Sequence, residues 1–238
     1  FLNLPNAVTF SDGSTITYTY GADGTKLRTV HKIGSTTTTT DYCGNVVYEN
    51  GVQKLLLTEE GYVTLSDSKY HYYLKDHQGN NRVVISQSGT VEETNHYYPF
   101  GGAFASTSNV QPYKYNGKEL DSKKGLNWYD YGARHYDAAL GRFTTNDRFA
   151  EKYYSMSPYQ YGANNPVNNI DVNGDTIVVN PNPNGLIDNV KMFFGFDTKY
   201  QKDVKADLQQ LKKDDKEIGE MIIELEKSKN VHSITRTK

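Results

Sequence analysis

A mainly β chain built from successive hairpins is the fold class this sequence predicts, and three observations predict it. Tyrosine outnumbers the other aromatics, 20 against 9 phenylalanines and one tryptophan. Tyrosine suits pleated, half-buried surfaces, where the ring packs and the hydroxyl stays wet or bonded. Residues 1–175 alternate polar and β-prone residues in short runs divided by turn signals, the pattern of many strands and few helices. In the densest aromatic stretch, "WYDYGARHYDAALGRF" at 128–143, Asp130, Arg134 and Asp137 interrupt every face a helix would offer. Short strands broken by turns remain.

The clearest hairpin comes first. In "STITYTYGADGTKLRTVHKI", Thr15, Thr17 and Thr19 alternate with Ile16, Tyr18 and Tyr20. "GADG" then turns the chain, with Asp23 and Gly24 expected to take left-handed backbone angles. The unit recurs: "DYCGNVVYENGVQKLLL" turns at Asn50 and Gly51, and "YYLKDHQGNNRVVISQSGTVEETNHYYPFG" turns at Gly79 and again at Ser88 and Gly89. Repeated hairpins imply a stacked or spiralling sheet. After "NNPVNNIDVNGD" the character changes. Val178 and Val179 suit a strand, residues 176–186 with "NPNPNG" read as a linker, and residues 187–238 open a different domain. There Val204, Leu208, Leu211, Ile218, Ile222 and Leu225 recur at helical spacing among charges, giving a small segment of amphipathic helices broken near Gly219. "VHSITRTK" reads as the start of a strand.

Composition excludes several classes. A formal net charge of -2 is wrong for a general nucleic-acid binder. No apolar run approaches the ~18 residues a membrane-spanning helix requires. Cys43 stands alone and cannot close a disulfide within the chain. "GANNPVNN" is a turn cluster without the lysine of a phosphate loop, and His77, His96 and His135 sit in turns or beside tyrosines without metal-ligand spacing. No cofactor and no metal site is expected. The chain opens at Phe1 without a charged-then-apolar export segment, so it reads as an internal piece of a longer protein.

The long motifs carry a resemblance. "GLNWYDYGARHYDAALGRFTTNDRFAEKYYSMSPYQYGANNPVNNIDVNGD" resembles the RHS repeat-associated core of bacterial polymorphic toxins. "YYLKDHQGNNRVVISQSGTVEETNHYYPFGG" is similar to the segment just upstream in that family, and "YTYGADGTKL" to its YD repeat. Together they cover most of residues 15–175. The resemblance implies tyrosine-rich repeats wound into part of a hollow β-cocoon, a core that closes one end, and a variable C-terminal toxin behind it. It implies as partners the chain's own C-terminal toxin domain, upstream repeats of the same chain, an immunity protein and a secretion apparatus. It places the protein outside a bacterium or on its surface. Gly132, Gly141 and Gly162 would let the strand path bend sharply at the closing end.

In that family the core ends in two Asp-Pro-containing motifs implicated in aspartyl self-cleavage. Asp147 in "TTNDRF" and Asp171 in "NIDVNGD" fall where the two aspartates lie, 24 residues apart. Two carboxylates held close cannot both ionise cheaply, so one keeps a proton as acid while the other activates water. Arg134 or Arg142 would hold charge beside them. Cleavage is expected just past the second motif, around Gly174 and Asp175. The chain departs from the pattern at Arg148 and Val172, which stand where the motifs carry proline. Proline would fix the turn backbone, so its loss relaxes the site without removing the carboxylates. The alternative for both aspartates is turn capping.

The tail, "FDTKYQKDVKADLQQLKKDDKEIGEMIIELEKSKNVHSITRTK", resembles the opening of an effector zinc metallopeptidase domain. That chemistry needs two histidines one helical turn apart plus a carboxylate. His232 stands without such partners in this sequence. Two functions follow: a shell core that encloses a toxin and cuts it free, or a surface adhesin whose exposed tyrosines stack on carbohydrate.

Overall fold

The computed structural model describes residues 3–179. The chain divides into two units, Phe1–Val178 and Val179–Lys238. Of the linker expected over 176–186, the part from residue 180 lies outside the described residues, as do the expected amphipathic helices and His232.

Eleven strands form one sheet in which each strand pairs antiparallel with the next in sequence. They are β1 (Ala7–Thr9), β2 (Thr15–Tyr20), β3 (Lys26–Ile33), β4 (Thr36–Cys43), β5 (Val46–Glu49), β6 (Val52–Leu57), β7 (Gly61–Thr64), β8 (Lys69–Lys75), β9 (Asn81–Ser86), β10 (Val91–Tyr97) and β11 (Ala103–Ser106). Hairpins joined head to tail leave no other order. Asn50 and Gly51 both take positive φ, 52° and 80°, and pair Glu49 with Val52 across a two-residue turn, as predicted.

The "GADG" turn differs from expectation. Gly24 has φ +90°, but Asp23 stays out of the left-handed region. Its carboxylate instead accepts the Thr25 amide at 3.0 Å and the Thr25 hydroxyl at 2.8 Å, while Gly24 N–H donates to Gly21 O at 3.1 Å. A side chain that bonds its own turn needs just one left-handed residue, and glycine takes that place.

The remaining strands are short. β12 (Glu119–Asp121), β13 (Trp128–Asp130), β14 (His135–Asp137) and β15 (Arg142–Phe143) form a four-stranded sheet, and β16 (Asn169–Asp171) pairs with β17 (Ile177–Val179). "WYDYGARHYDAALGRF" is thus three strands. Gly132 and Gly141, at φ +88° and +65°, make the turns between them. Among the described residues no helix is long and apolar enough to cross a membrane.

One core cluster joins Tyr97, Tyr115, Tyr129, Tyr131, Tyr136, Phe143 and Tyr161. Their hydroxyls explain why tyrosine replaces phenylalanine. Tyr115, Tyr136 and Tyr129 donate to the carbonyls of Pro99, Phe100 and Gly101 at 2.7, 2.7 and 3.0 Å, and Tyr131 donates to Asn116 Oδ1 at 2.6 Å. Each ring fills volume while its tip satisfies a buried acceptor. A second cluster of Val47, Leu55, Tyr62 and Val84 lies within the large sheet. Tyr70, Tyr72, Tyr98 and Tyr154 are exposed.

Polar bonds tie the large sheet to the small one. Lys26 on β3 pairs with Glu119 at 2.7 Å and with Asp130 at 2.6 Å. Tyr42 donates to Glu119 at 2.7 Å, and Tyr18 and His31 both reach Asp121.

Candidate functional site

The chain between β14 and β17 gathers the predicted carboxylates. Arg134 directly precedes β14, Asp147 opens the turn after β15, and Asp171 ends β16. All three are buried, with Arg134 at 2% exposure, Asp147 at 7% and Asp171 at 0%. One guanidinium nitrogen meets both acids: Arg134 Nη2 donates to Asp147 Oδ2 at 2.9 Å and approaches Asp171 Oδ2 at 3.5 Å. Of the two arginines the sequence offered, Arg134 takes the place. The Arg142 guanidinium lies over the Tyr159 ring.

Backbone groups complete the cluster. Arg134 Nη1 donates to Pro158 O at 3.0 Å, and Nε to Gly174 O. The guanidinium also stacks 3.7 Å from the Phe143 ring centroid, which fixes its plane. Asp147 Oδ1 accepts the Phe149 amide at 2.7 Å, so this aspartate both pairs with Arg134 and caps its own turn. Asp171 Oδ1 accepts the amides of Gly174, Asp175 and Thr176 at 2.6, 3.0 and 3.4 Å. The turn between β16 and β17 is thereby wrapped around one carboxylate. Gly174 has φ +78°, and a Cβ there would lie 3.0 Å from Arg134 N and from Tyr131 Cβ. A side chain does not fit between the turn and the arginine.

Burial pushes the Asp171 carboxyl up to about 6, against the opposing pull of Arg134 and of its amide donors. Burial also pulls Arg134 below the ordinary arginine value, opposed by Asp147, Asp171 and Asp175. Capping and pairing coexist here rather than compete.

A third carboxylate joins the site, Asp175, which the sequence marks as part of the expected cleavage region and not as a charged partner. Asp175 is 3% exposed, pairs with Arg148, and accepts the Thr176 hydroxyl at 2.9 Å. In the sequence Arg148 stands out as the residue in place of the first motif's proline. The available signal was charge complementarity, since each motif carries one extra charge of opposite sign. A cavity of about 600 Å³ opens on this group, lined by Arg134, Asp147, Arg148 and the 173–175 backbone on one side and by the Asp23–Thr25 turn on another.

The histidines lie apart from this site. His135 is buried against Tyr18, with ring centroids 5.3 Å apart, and His77 bonds Val167 O at 3.1 Å. Among the described residues no group of three His, Cys, Asp or Glu is placed to hold a metal ion.

No family model matches the chain. A curated protein of Aedes aegypti, "Salivary gland surface protein 1", is 40% identical over 116 residues, which is 47% of this chain and 3% of that protein. Among solved structures, TcdB2-TccC3-TEV matches 71% of this chain and 10% of its own, at TM-score 0.61 and 20% identity. TcdB2-TccC3 without its hypervariable C-terminal region matches the same shares at TM-score 0.58 and 18% identity. A Photorhabdus luminescens Tc holotoxin pore carrying a TccC3 mutation matches 76% of this chain and 11% of its own, at TM-score 0.58 and 18% identity. The fold is that of these toxin components. The chain spans about a tenth of their length.

Proposed function

We propose that this chain is the C-terminal core of an RHS-type shell that encloses the polypeptide following it, and that Asp147 and Asp171 cut that polypeptide free. The fold likeness to the TcdB2-TccC3 structures and the motif order support the shell. The observation that carries the cutting is the meeting of Asp147 and Asp171 on one arginine nitrogen, against the backbone of Gly174 and Asp175. On this reading the partners are the enclosed tail, upstream repeats, an immunity protein and an export apparatus. The site of action is outside a bacterium.

The Gly174–Asp175 peptide is the bond both kinds of group touch. Arg134 Nε donates to its carbonyl oxygen, and Asp171 Oδ1 lies 3.0 Å from its nitrogen. Water adds to the Gly174 carbonyl carbon and gives its proton to Asp147. The developing oxyanion is held by Arg134, as preorganised donors do. Asp171, protonated below about pH 6, passes its proton to the departing Asp175 nitrogen. Collapse leaves a Gly174 carboxylic acid, whose proton returns to Asp171, and an Asp175 amine, which takes the proton held by Asp147, so both acids are restored.

Intact mass of the full-length protein tests this, with Asp147→Asn and Asp171→Asn alongside. The expected result is a break at Gly174–Asp175 in the parent and an uncut chain in both variants. A parent that stays whole, or a variant that still cuts, rejects the cutting role.

A further inference from the structure

Resting on that reading, we infer that Arg148 and Asp175 are a positioning pair that seats the scissile segment on the two acids and selects an acidic side chain at position 175. The Asp175 side chain is 3% exposed while that of Arg148 is 66% exposed, so the arginine reaches in from the surface to a largely buried carboxylate. A buried carboxylate without a counter-charge is costly, so the pair decides where residue 175 rests.

The pair acts on the peptide to be cut because three contacts converge there. The Asp175 side chain is held by Arg148, its amide by Asp171 at 3.0 Å, and the preceding carbonyl by Arg134. Arg148 directly follows Asp147, and Phe149 N–H caps Asp147 at 2.7 Å. The base and the clamp on its substrate therefore share one turn. The guanidinium is steadied by the Phe149 ring, 4.9 Å from its centroid. Here Arg148 supplies, by charge, a constraint that proline would supply by geometry. Without Arg148 the Asp175 carboxylate regains hydration only by swinging out, and it draws the Gly174–Asp175 peptide off the acids.

A charge argument gives a second readout. Asp171 faces Arg134, Asp175, Lys118 and Tyr153, and Asp147 meets it across the shared Arg134 nitrogen. Asp175 raises Asp171, and Arg148 balances Asp175. Neutralising Arg148 should move the pH limb of cleavage upward, and neutralising Asp175 should move it downward.

The test follows cleavage of the full-length protein by intact mass between pH 5 and 8. It compares the parent, Arg148→Gln, Asp175→Asn, Arg148→Asp, Asp175→Arg and the double swap, with thermal unfolding of each. Each single variant should cut about 10- to 100-fold more slowly, the scale of a small misplacement at a reacting bond. The swap should recover most of that loss, with the cut bond unchanged. If a Gln variant fails to fold, Arg148→Lys carries the comparison, with an intermediate rate expected. A parent that cuts while Arg148→Gln matches it in rate, bond and pH limb overturns the pairing alone, as does a folded swap no faster than the singles. A parent that never cuts removes the underlying reading, and the pairing with it.

Discussion

Arg134 shows how much one side chain can organise. It bonds two aspartates and two carbonyls and stacks on Phe143, so that each of its three nitrogens has an acceptor. The cost falls on Asp171, whose carboxyl is pushed up to about 6 by burial. A carboxyl raised above its unfolded value of 3.8 stabilises the fold fully below that value, and this contribution is lost as pH rises through about 6. The shift corresponds to roughly 3 kcal/mol. With Asp147 kept as the partner of Arg134, Asp171→Asn should therefore be more favourable to stability at pH 7 than at pH 4. Thermal unfolding at both pH values checks this, and an equal effect at the two would contradict it. The two aspartates were legible in the sequence because motif position marks them, while Arg134 and Arg142 stood as alternatives. The Arg148–Asp175 pair was not, because its partners lie 27 residues apart and no local rule joins them.

Strands and turns obey local rules more closely. Asn50 and Gly51 make the turn their residue types demand, and Gly79 and Gly89 take positive φ, 77° and 84°, where turns were expected. Gly61 is different. It opens β7 as a strand residue, and a Cβ there would lie 1.9 Å from the His71 carbonyl oxygen on β8. Gly61→Ala must force the β7–β8 ladder apart, and should cost about 1–3 kcal/mol or more. Gly51→Ala meets open space and pays only the left-handed backbone, about 1–2 kcal/mol. Urea unfolding of both variants should rank Gly61→Ala as the more harmful. Alternation over residues 1–175 predicts many strands, but it gives no distance from one backbone to the next.

Across the first unit, the large and small sheets are joined by buried charge as well as by tyrosine. Lys26 sits between Glu119 and Asp130, which raises its pKa well above the ordinary value against the pull of burial. Burial works against ionised Asp130, yet Lys26 outweighs it and holds the carboxyl down to about 2. A depressed carboxylate contributes stability that is present above its unfolded value of 3.8 and lost as pH falls toward about 2. Lys26→Met removes the counter-charge from two acids at once and should cost about 3–5 kcal/mol at pH 7. The loss should shrink at pH 3, where Asp130 becomes neutral in the unfolded chain and loses its counter-charge in the variant. Hydrogen exchange over residues 119–143 should quicken in the variant at pH 7, and unchanged protection there would show that the sheets are held by tyrosine packing alone.

Strand content, hairpin order and most turn positions follow from residue type and period, since alternation, Asn-Gly pairs and glycines act over a few residues. The two aspartates follow from motif position. Three-dimensional packing chose Arg134 over Arg142, wrapped the Gly174–Thr176 amides around Asp171, paired Arg148 with Asp175, and set Lys26 between two carboxylates. These are contacts between segments distant in sequence, and their strength comes from burial. Dielectric and desolvation belong to the folded environment, so no side chain carries them in its name.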